Sequence, residues 1–255
     1  MTGGNGRADE LRANLKAVRA RIAAACQAAG RPADDVTLIA VTKTFPASDV
    51  RLLVELGVAD IGENRDQEAA RKAAECRDLD PRPRWHFVGQ LQVNKARSVV
   101  RYADVIHSVD RLRLVEVLGA RARAAGRVIT CLVQVDLGPE PGPGSAERGV
   151  PGGRPPGLAE RGGAAPGDVS RLADAVAAEV GLTLGGVMAV APLGAPPRPA
   201  FRRLAEVASA VRAAHPDASI ISAGMTGDLE EAIAEGATHV RVGTALLGGR
   251  QPFVR

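Results

Sequence analysis

Apolar residues recur at helical spacing from Asp9 to Gly30, at Leu11, Leu15, Val18, Ile22 and Ala25, and Gly30 with Pro32 closes that helix. Beyond it the pattern changes. Short apolar runs at 36–42, 58–62, 84–89, 104–109, 128–137, 182–190, 219–223 and 238–243 read as strands. Segments of helical period at 48–56, 64–76, 93–101, 110–125, 168–180, 199–214 and 226–235 lie between them. Ser48, Asp110 and Thr226 stand as start signals for three of these helices. Eight strands alternating with helices predict an α/β protein of parallel strands joined by crossovers. Closed on themselves, eight such units make a (β/α)8 TIM barrel, for which roughly 250 residues is typical. An open doubly wound sheet is the rival. It is weakened because no GxGxxG follows the first strand and no GxxxxGK[ST] occurs.

One stretch breaks the rhythm: from Leu137 to Gly167, 17 of 31 residues are Gly or Pro. Such composition cannot bury a core, so 138–167 is expected to be a mobile insertion within one domain spanning 1–255.

In a barrel, the C-terminal ends of the strands carry the chemistry. Strand one, LIAVTKTFP, ends in Lys43 just before Pro46, and a lysine there is either an ordinary surface residue or a placed amine. Strand two runs into Gly62, Glu63 and Asn64, and strand three contains His86. Strands seven and eight end in SAGMT (222–226) and RVGT (241–244), two small, hydroxyl-rich turns before helical segments. Free backbone N–H groups at such turns suit an anion, and phosphates are commonly held near the last two strands of such barrels. Arg241 lies between Val240 and Val242 and should point inward, toward a ligand or a carboxylate such as Glu63, because an unpaired buried guanidinium is costly. A phosphate cradle facing a lysine suggests pyridoxal 5′-phosphate held as a Schiff base. An arginine at the ring nitrogen would keep that nitrogen unprotonated, since two positive charges repel.

Composition excludes other classes. The net charge is only +4, and one Trp, one Tyr and four Phe give no base-stacking platform, so no nucleic-acid partner is expected. Cys26, Cys76 and Cys131 are odd in number and far apart, which argues for reduced thiols rather than disulfides or zinc. His86, His107, His215 and His239 lack metal-ligand spacing, and His215 is expected at the surface. With no run long enough to span a membrane and no signal-peptide core, a soluble cytoplasmic protein is expected.

The pieces AVTKTFP, IGENRDQEA, WHFVGQLQVNKAR, HSVDR, GVMAVAP, SAGMTGDLEEAI and VRVGTALLGGR, in this order from Leu38 to Arg250, resemble the pyridoxal phosphate homeostasis protein family. Its members are relatives of the alanine racemase N-terminal barrel. The resemblance implies a fold type III cofactor-binding barrel with an extra N-terminal helix. It places the cofactor on Lys43 and Asn64 close to it. It also implies that Ser222, Gly224, Gly243 and Thr244 hold the phosphate and that Arg241 faces the pyridine nitrogen. Two departures stand out. Thr226 replaces the family's serine and keeps the hydroxyl. The loop after strand five is expanded, with either Arg148–Gly149 or Arg161–Gly162 as counterpart of its basic residue and glycine.

Three functions compete: a cofactor carrier in vitamin B6 homeostasis, a PLP-dependent amino-acid racemase, and an interaction protein that kept the barrel. Racemisation needs a base on each face of the α-carbon. Racemases of the related fold take the second from a partner's tyrosine and carry a β-rich domain, whereas this sequence runs only to Arg255. Its sole tyrosine, Tyr102, precedes strand four, at the end of the barrel expected to lie away from the site. A monomeric, non-catalytic carrier is expected, with PLP-dependent apoenzymes as recipients.

Overall fold

The strands are short and mostly buried, as an all-parallel sheet covered by helices requires, although several carry buried polar side chains. In the computed structural model, which describes residues 3–138 and 162–249, the strands are β1 (Thr37–Val41), β2 (Asp60–Glu63), β3 (Arg84–Phe87), β4 (Val105–Val109), β5 (Ile129–Gln134), β6 (Leu182–Met188), β7 (Ile220–Ser222) and β8 (His239–Val242). They close into one parallel barrel in chain order. β8 pairs back onto β1, with Ile39 opposite Arg241 and Ala40 opposite Val242, so the sheet is not open.

Helices α1 (Gly3–Ala28), α2 (Ala47–Glu55), α3 (Asp66–Glu75), α4 (Ala96–Val99), α5 (Leu112–Ala124), α6 (Val169–Ala178), α7 (Pro197–Ala214), α8 (Leu229–Ala234) and α9 (Thr244–Leu247) surround the barrel. The helix expected over 93–101 is instead a 3-10 turn, Val93–Lys95, followed by the single turn of α4. Its buried face is short, with Ala96, Val99 and Val100 alone in the core. The expected start signals are not used as caps. Helix α2 begins after Pro46, whose fixed φ suits a helix entry, and the cap positions of α5 and α8 are Arg111 and Asp228. Thr226 Oγ1 instead accepts the Ala245 N–H at 3.4 Å.

The Gly/Pro-rich excursion lies mostly outside the described residues, as do Arg148, Gly149 and Arg161. Its last part is tied to the sheet: the Ala164 N–H donates to Gln134 O and the Asp136 N–H to Ala164 O, both at 2.8 Å.

Helix α1 buries the predicted stripe Leu11, Leu15, Val18, Ile22 and Ala25. Its polar residues brace the turns after β7 and β8. Arg7 donates to Leu247 O at 3.1 Å and Asn14 to Leu246 O at 3.0 Å, partners for carbonyls that a short helix leaves open. Arg21 bonds Glu230 and Thr226 O at 2.8–2.9 Å. The extra helix thus fixes the loops that face the expected site.

Candidate functional site

Register brings the sequence-predicted residues to one end of the barrel. Val41 pairs with Gly62 on one side, while β8 lies on the other, so Lys43 sits beside Asn64 and the Gly243–Thr244 turn. The RVGT turn is therefore next to the lysine and the SAGMT turn one strand further round on the same side, so neither faces it from across the barrel. Lys43 is partly buried, and among the described residues its amine has no hydrogen bond or ion pair. The residues on either side of it are held. Thr42 Oγ1 donates to Glu63 Oε1 at 2.6 Å, and the Thr44 N–H donates to Glu68 Oε1 at 2.5 Å. Thr44 has φ 71°, which a β-branched residue rarely adopts.

Lys72 joins these contacts. Its ammonium is buried and donates to Thr42 O and Glu63 Oε1 at 2.6 Å and to Glu68 Oε1 at 2.7 Å. Burial pushes the Glu63 carboxyl up, only partly offset by Lys72 and the Thr42 hydroxyl. Glu63 is thus the partner of Lys72 and not, as expected, of Arg241. The long side chain of a helix residue reaches it first.

Arg241 points inward as predicted, but its hydrogen-bond partners are neutral. Nη1 donates to Ser222 Oγ at 2.7 Å and Nη2 to Ala189 O at 2.9 Å. Burial lowers the guanidinium to about 10, which leaves it charged at neutral pH. From Ser222 a buried chain runs across the barrel. His107 Nδ1 lies 3.1 Å from Ser222 Oγ, His107 Nε2 lies 2.9 Å from His86 Nδ1, and His86 Nε2 lies 2.8 Å from Asp60 Oδ1.

The ends of that chain set its protons. Arginine can only donate and an ionised carboxylate can only accept. With both imidazoles neutral, Arg241 donates to Ser222, Ser222 to His107, His107 to His86 and His86 to Asp60. Ser222 has then given its hydroxyl hydrogen away. Burial, with the nearby His86 and Arg241, drives His107 well below its ordinary value. Burial raises the Asp60 carboxyl, but the His86 hydrogen bond and nearby positive charges outweigh it and leave the group lowered.

Close approach governs the remaining parts. Gly224 has φ 87°, and a Cβ there would meet Ala232 Cβ at 2.7 Å. Gly243 leads into α9, which Thr244 opens, exposed. Asn64 follows β2 with its Oδ1 buried and unpartnered, and its backbone packs on Gly89, where a Cβ would come within 2.3 Å of Asn64 O. Beside it a cleft of about 510 Å³ is lined by Arg65, Glu68, Phe87, Gln90 and Lys95. Among the described residues, no cluster of His, Cys, Asp and Glu is arranged to hold a metal.

Tyr102 departs from expectation. Its backbone precedes β4, yet the buried phenol reaches Asp66 at 3.5 Å, at the start of α3 on the Lys43 end of the barrel. Burial, with the nearby Asp66 and Glu63, pushes it up and keeps it protonated. His215 is partly buried and bonds Asp174 at 2.8 Å. Sequence reading missed Lys72, Glu68 and Asp60. Glu68 and Lys72 carry only the i,i+4 spacing of an ordinary surface pair. Asp60 opens an apolar run without any motif.

The profile of the alanine racemase N-terminal domain matches residues 13–251. The pyridoxal phosphate homeostasis protein of Mycobacterium tuberculosis is 42% identical over 259 residues, covering 96% of this chain and 95% of that protein. A protein of unknown function from Bifidobacterium adolescentis superposes with a TM-score of 0.82 at 32% identity, covering 96% of this chain and 97% of that one. PipY of Synechococcus elongatus, solved with PLP bound, superposes with a TM-score of 0.75 at 32% identity, covering 93% of this chain and all of that one. The chain belongs to the pyridoxal phosphate homeostasis protein family and carries its barrel, that of the alanine racemase N-terminal domain.

Proposed function

We propose that the C-terminal end of the barrel binds pyridoxal 5′-phosphate with Lys43 as the anchoring amine, and that the protein is a non-catalytic carrier in vitamin B6 homeostasis. One pairing carries the reading: a lysine amine after β1 that has no partner among the described residues, and, on the adjoining strand β8, a buried arginine that has donors to spare. Among the described residues Arg241 commits only Nη1 and Nη2, each to a single neutral acceptor, and a guanidinium has five N–H groups. The PLP-bound PipY relative and the homeostasis proteins of the family support the same assignment.

When bound, the cofactor supplies an aldehyde that condenses with a lysine amine, one C=N bond forming as one water leaves, and a ring able to withdraw electrons. The residues present fit such a group. Glu63 Oε2, Asn64 Oδ1 and Ser108 Oγ, at the ends of β2 and β4, are buried polar atoms without partners among the described residues, which a polar ligand and its water would satisfy. We assign Gly224, Gly243 and Thr244 to the phosphate, through backbone N–H groups and the threonine hydroxyl. Ser222 joins them through its backbone, its hydroxyl being held between Arg241 and His107. Arg241 stays charged against the ring nitrogen and keeps that nitrogen unprotonated. Asn64 closes the side next to β2.

The absence of turnover rests on Tyr102. It is the sole tyrosine of the chain, and its buried phenol is held protonated against Asp66, so it is no base for a second face. We read the working unit as a monomer that hands its cofactor to apoenzymes. Three buried free thiols suit a reducing cytoplasm, and no helix among the described residues is long and apolar enough to cross a membrane.

Titration with pyridoxal phosphate tests the binding site. Wild type develops a visible absorption band that Lys43→Ala lacks, and borohydride treatment leaves a stable mass addition on the Lys43 peptide; an unchanged spectrum in Lys43→Ala sinks the assignment. Incubation with L-alanine in deuterated water tests the carrier. Exchange of the α-proton with inversion at enzymatic rates would establish the racemase instead.

A further inference from the structure

Lys72 has a fully used ammonium: three N–H donors and three acceptors at 2.6–2.7 Å, with 1% of the side chain exposed. The acceptors come from three elements, the Thr42 carbonyl after β1, Glu63 on β2 and Glu68 on α3. Each of them also holds a residue of the lysine turn. Glu63 Oε1 takes the Thr42 hydroxyl, Glu68 Oε1 takes the Thr44 N–H, and Thr42 O takes the Phe45 N–H at 3.0 Å. The residues immediately before and after Lys43 are therefore tied to one buried charge, while the Lys43 amine itself has no partner among the described residues.

Stability alone is a weak reason for this arrangement. Buried ion pairs can often be replaced by apolar groups without loss, because desolvation offsets the attraction. The turn also holds Thr44 at φ 71°, a conformation kept only where the surroundings enforce it. The Glu68 carboxylate on the Thr44 N–H is one such enforcement, and Lys72 in turn holds that carboxylate.

We propose that Lys72 is a positioning residue of this site: through Thr42, Glu63 and Glu68 it locks the Thr42–Lys43–Thr44 turn and so aims the Lys43 amine at the cofactor aldehyde. The assignment rests on the reading that Lys43 is the anchoring amine. A misaimed nucleophile still binds its partner but reacts more slowly, since geometry alone can be worth orders of magnitude in rate.

Glu68 gives the cleanest test, because its side chain is 19% exposed and is no part of the apolar core. Glu68→Gln keeps an oxygen that can accept from both Thr44 and Lys72, whereas Glu68→Ala keeps none. At saturating pyridoxal phosphate, Glu68→Ala is expected to slow growth of the visible band about tenfold or more, with Glu68→Gln restoring most of the rate. Without any cofactor, the Thr44 amide should exchange about tenfold faster in Glu68→Ala than in wild type or Glu68→Gln. Lys72→Met is expected to show both defects. Should it fail to fold, Thr42→Val, which removes only the hydroxyl bond to Glu63, reports on the same turn by a slowed band. Wild-type band growth in Glu68→Ala, no gain in Glu68→Gln over Glu68→Ala, or a Thr44 amide indifferent to both would overturn the proposal. The Lys43→Ala spectrum is read first: failure there removes the parent assignment, whereas a changed Thr44 exchange does not depend on it.

Discussion

Ser222 Oγ lies 2.7 Å from Arg241 Nη1 and accepts a hydrogen bond from a guanidinium that is 5% exposed. The serine hydroxyl is thereby a support for the arginine. Its own hydrogen turns toward His107. Truncating it leaves two buried groups without a partner, at a cost of about 1–3 kcal/mol. Ser222→Ala should fold with a lower melting temperature and weaker binding of pyridoxal phosphate. Cofactor affinity equal to wild type would show that Arg241 needs no such support.

Asp60 terminates the same chain four hydrogen bonds from Arg241. Asp60→Asn keeps an oxygen for His86 but removes the charge that favours one direction. The expected outcome is a shifted absorption maximum of the bound cofactor and altered affinity, although residue 60 stands at the opposite end of β2 from Asn64. Spectra superimposable on wild type would confine the chain to packing.

Stability should fall on the acid side of neutrality. Burial lowers His239 from 6.5 to about 4, and His107 is lowered as well. Below about 6.5 the unfolded chain binds protons that the folded one refuses, so stability is full above that pH and declines toward about 4. At about 1.4 kcal/mol per unit, His239 accounts for about 2 kcal/mol between pH 6.5 and 5. Urea unfolding at the two pH values measures the difference. His239→Gln should reduce the loss, and an unchanged slope would assign it elsewhere.

Gly89 packs on the Asn64 backbone, where an added Cβ would sit 2.3 Å from a carbonyl oxygen. Gly89→Ala must push the β2 end aside, at a cost of about 1–3 kcal/mol. Weaker cofactor binding should accompany the lost stability, because Asn64 moves with it. Retained affinity in a destabilised variant would remove Asn64 from the site.

Tyr102 makes only a 3.5 Å contact with Asp66 through its hydroxyl. Tyr102→Phe should leave folding, cofactor loading and any exchange of amino-acid α-protons as they are. A variant that loses α-proton exchange present in wild type would restore the tyrosine as a base.

Much of this barrel could be read from the chain. The stripe Leu11–Ala25 and the eight apolar runs follow from periodicities that the backbone imposes locally. Motifs at strand ends singled out Lys43, Asn64, Gly224, Arg241, Gly243 and Thr244 as candidates, and the topology of a closed parallel barrel brings strand ends of one polarity together. What escaped were side-chain partners. Nothing local distinguishes Lys72 from a surface lysine four residues after a glutamate. Whether its ammonium meets water or Thr42, Glu63 and Glu68 depends on how α3 packs over β1 and β2.

Arg241 shows the same division. Its place between two valines determined that it points inward, since side chains alternate along a strand. Its partner was not determined: Glu63, two strands away, was already held by Lys72, and Ser222 on the adjacent β7 took its place. Sequence by itself set the period, the strand ends and the fold, because these depend on neighbours along the chain. Tertiary structure alone decided who shares a proton with whom, because a hydrogen bond needs two groups within about 3 Å.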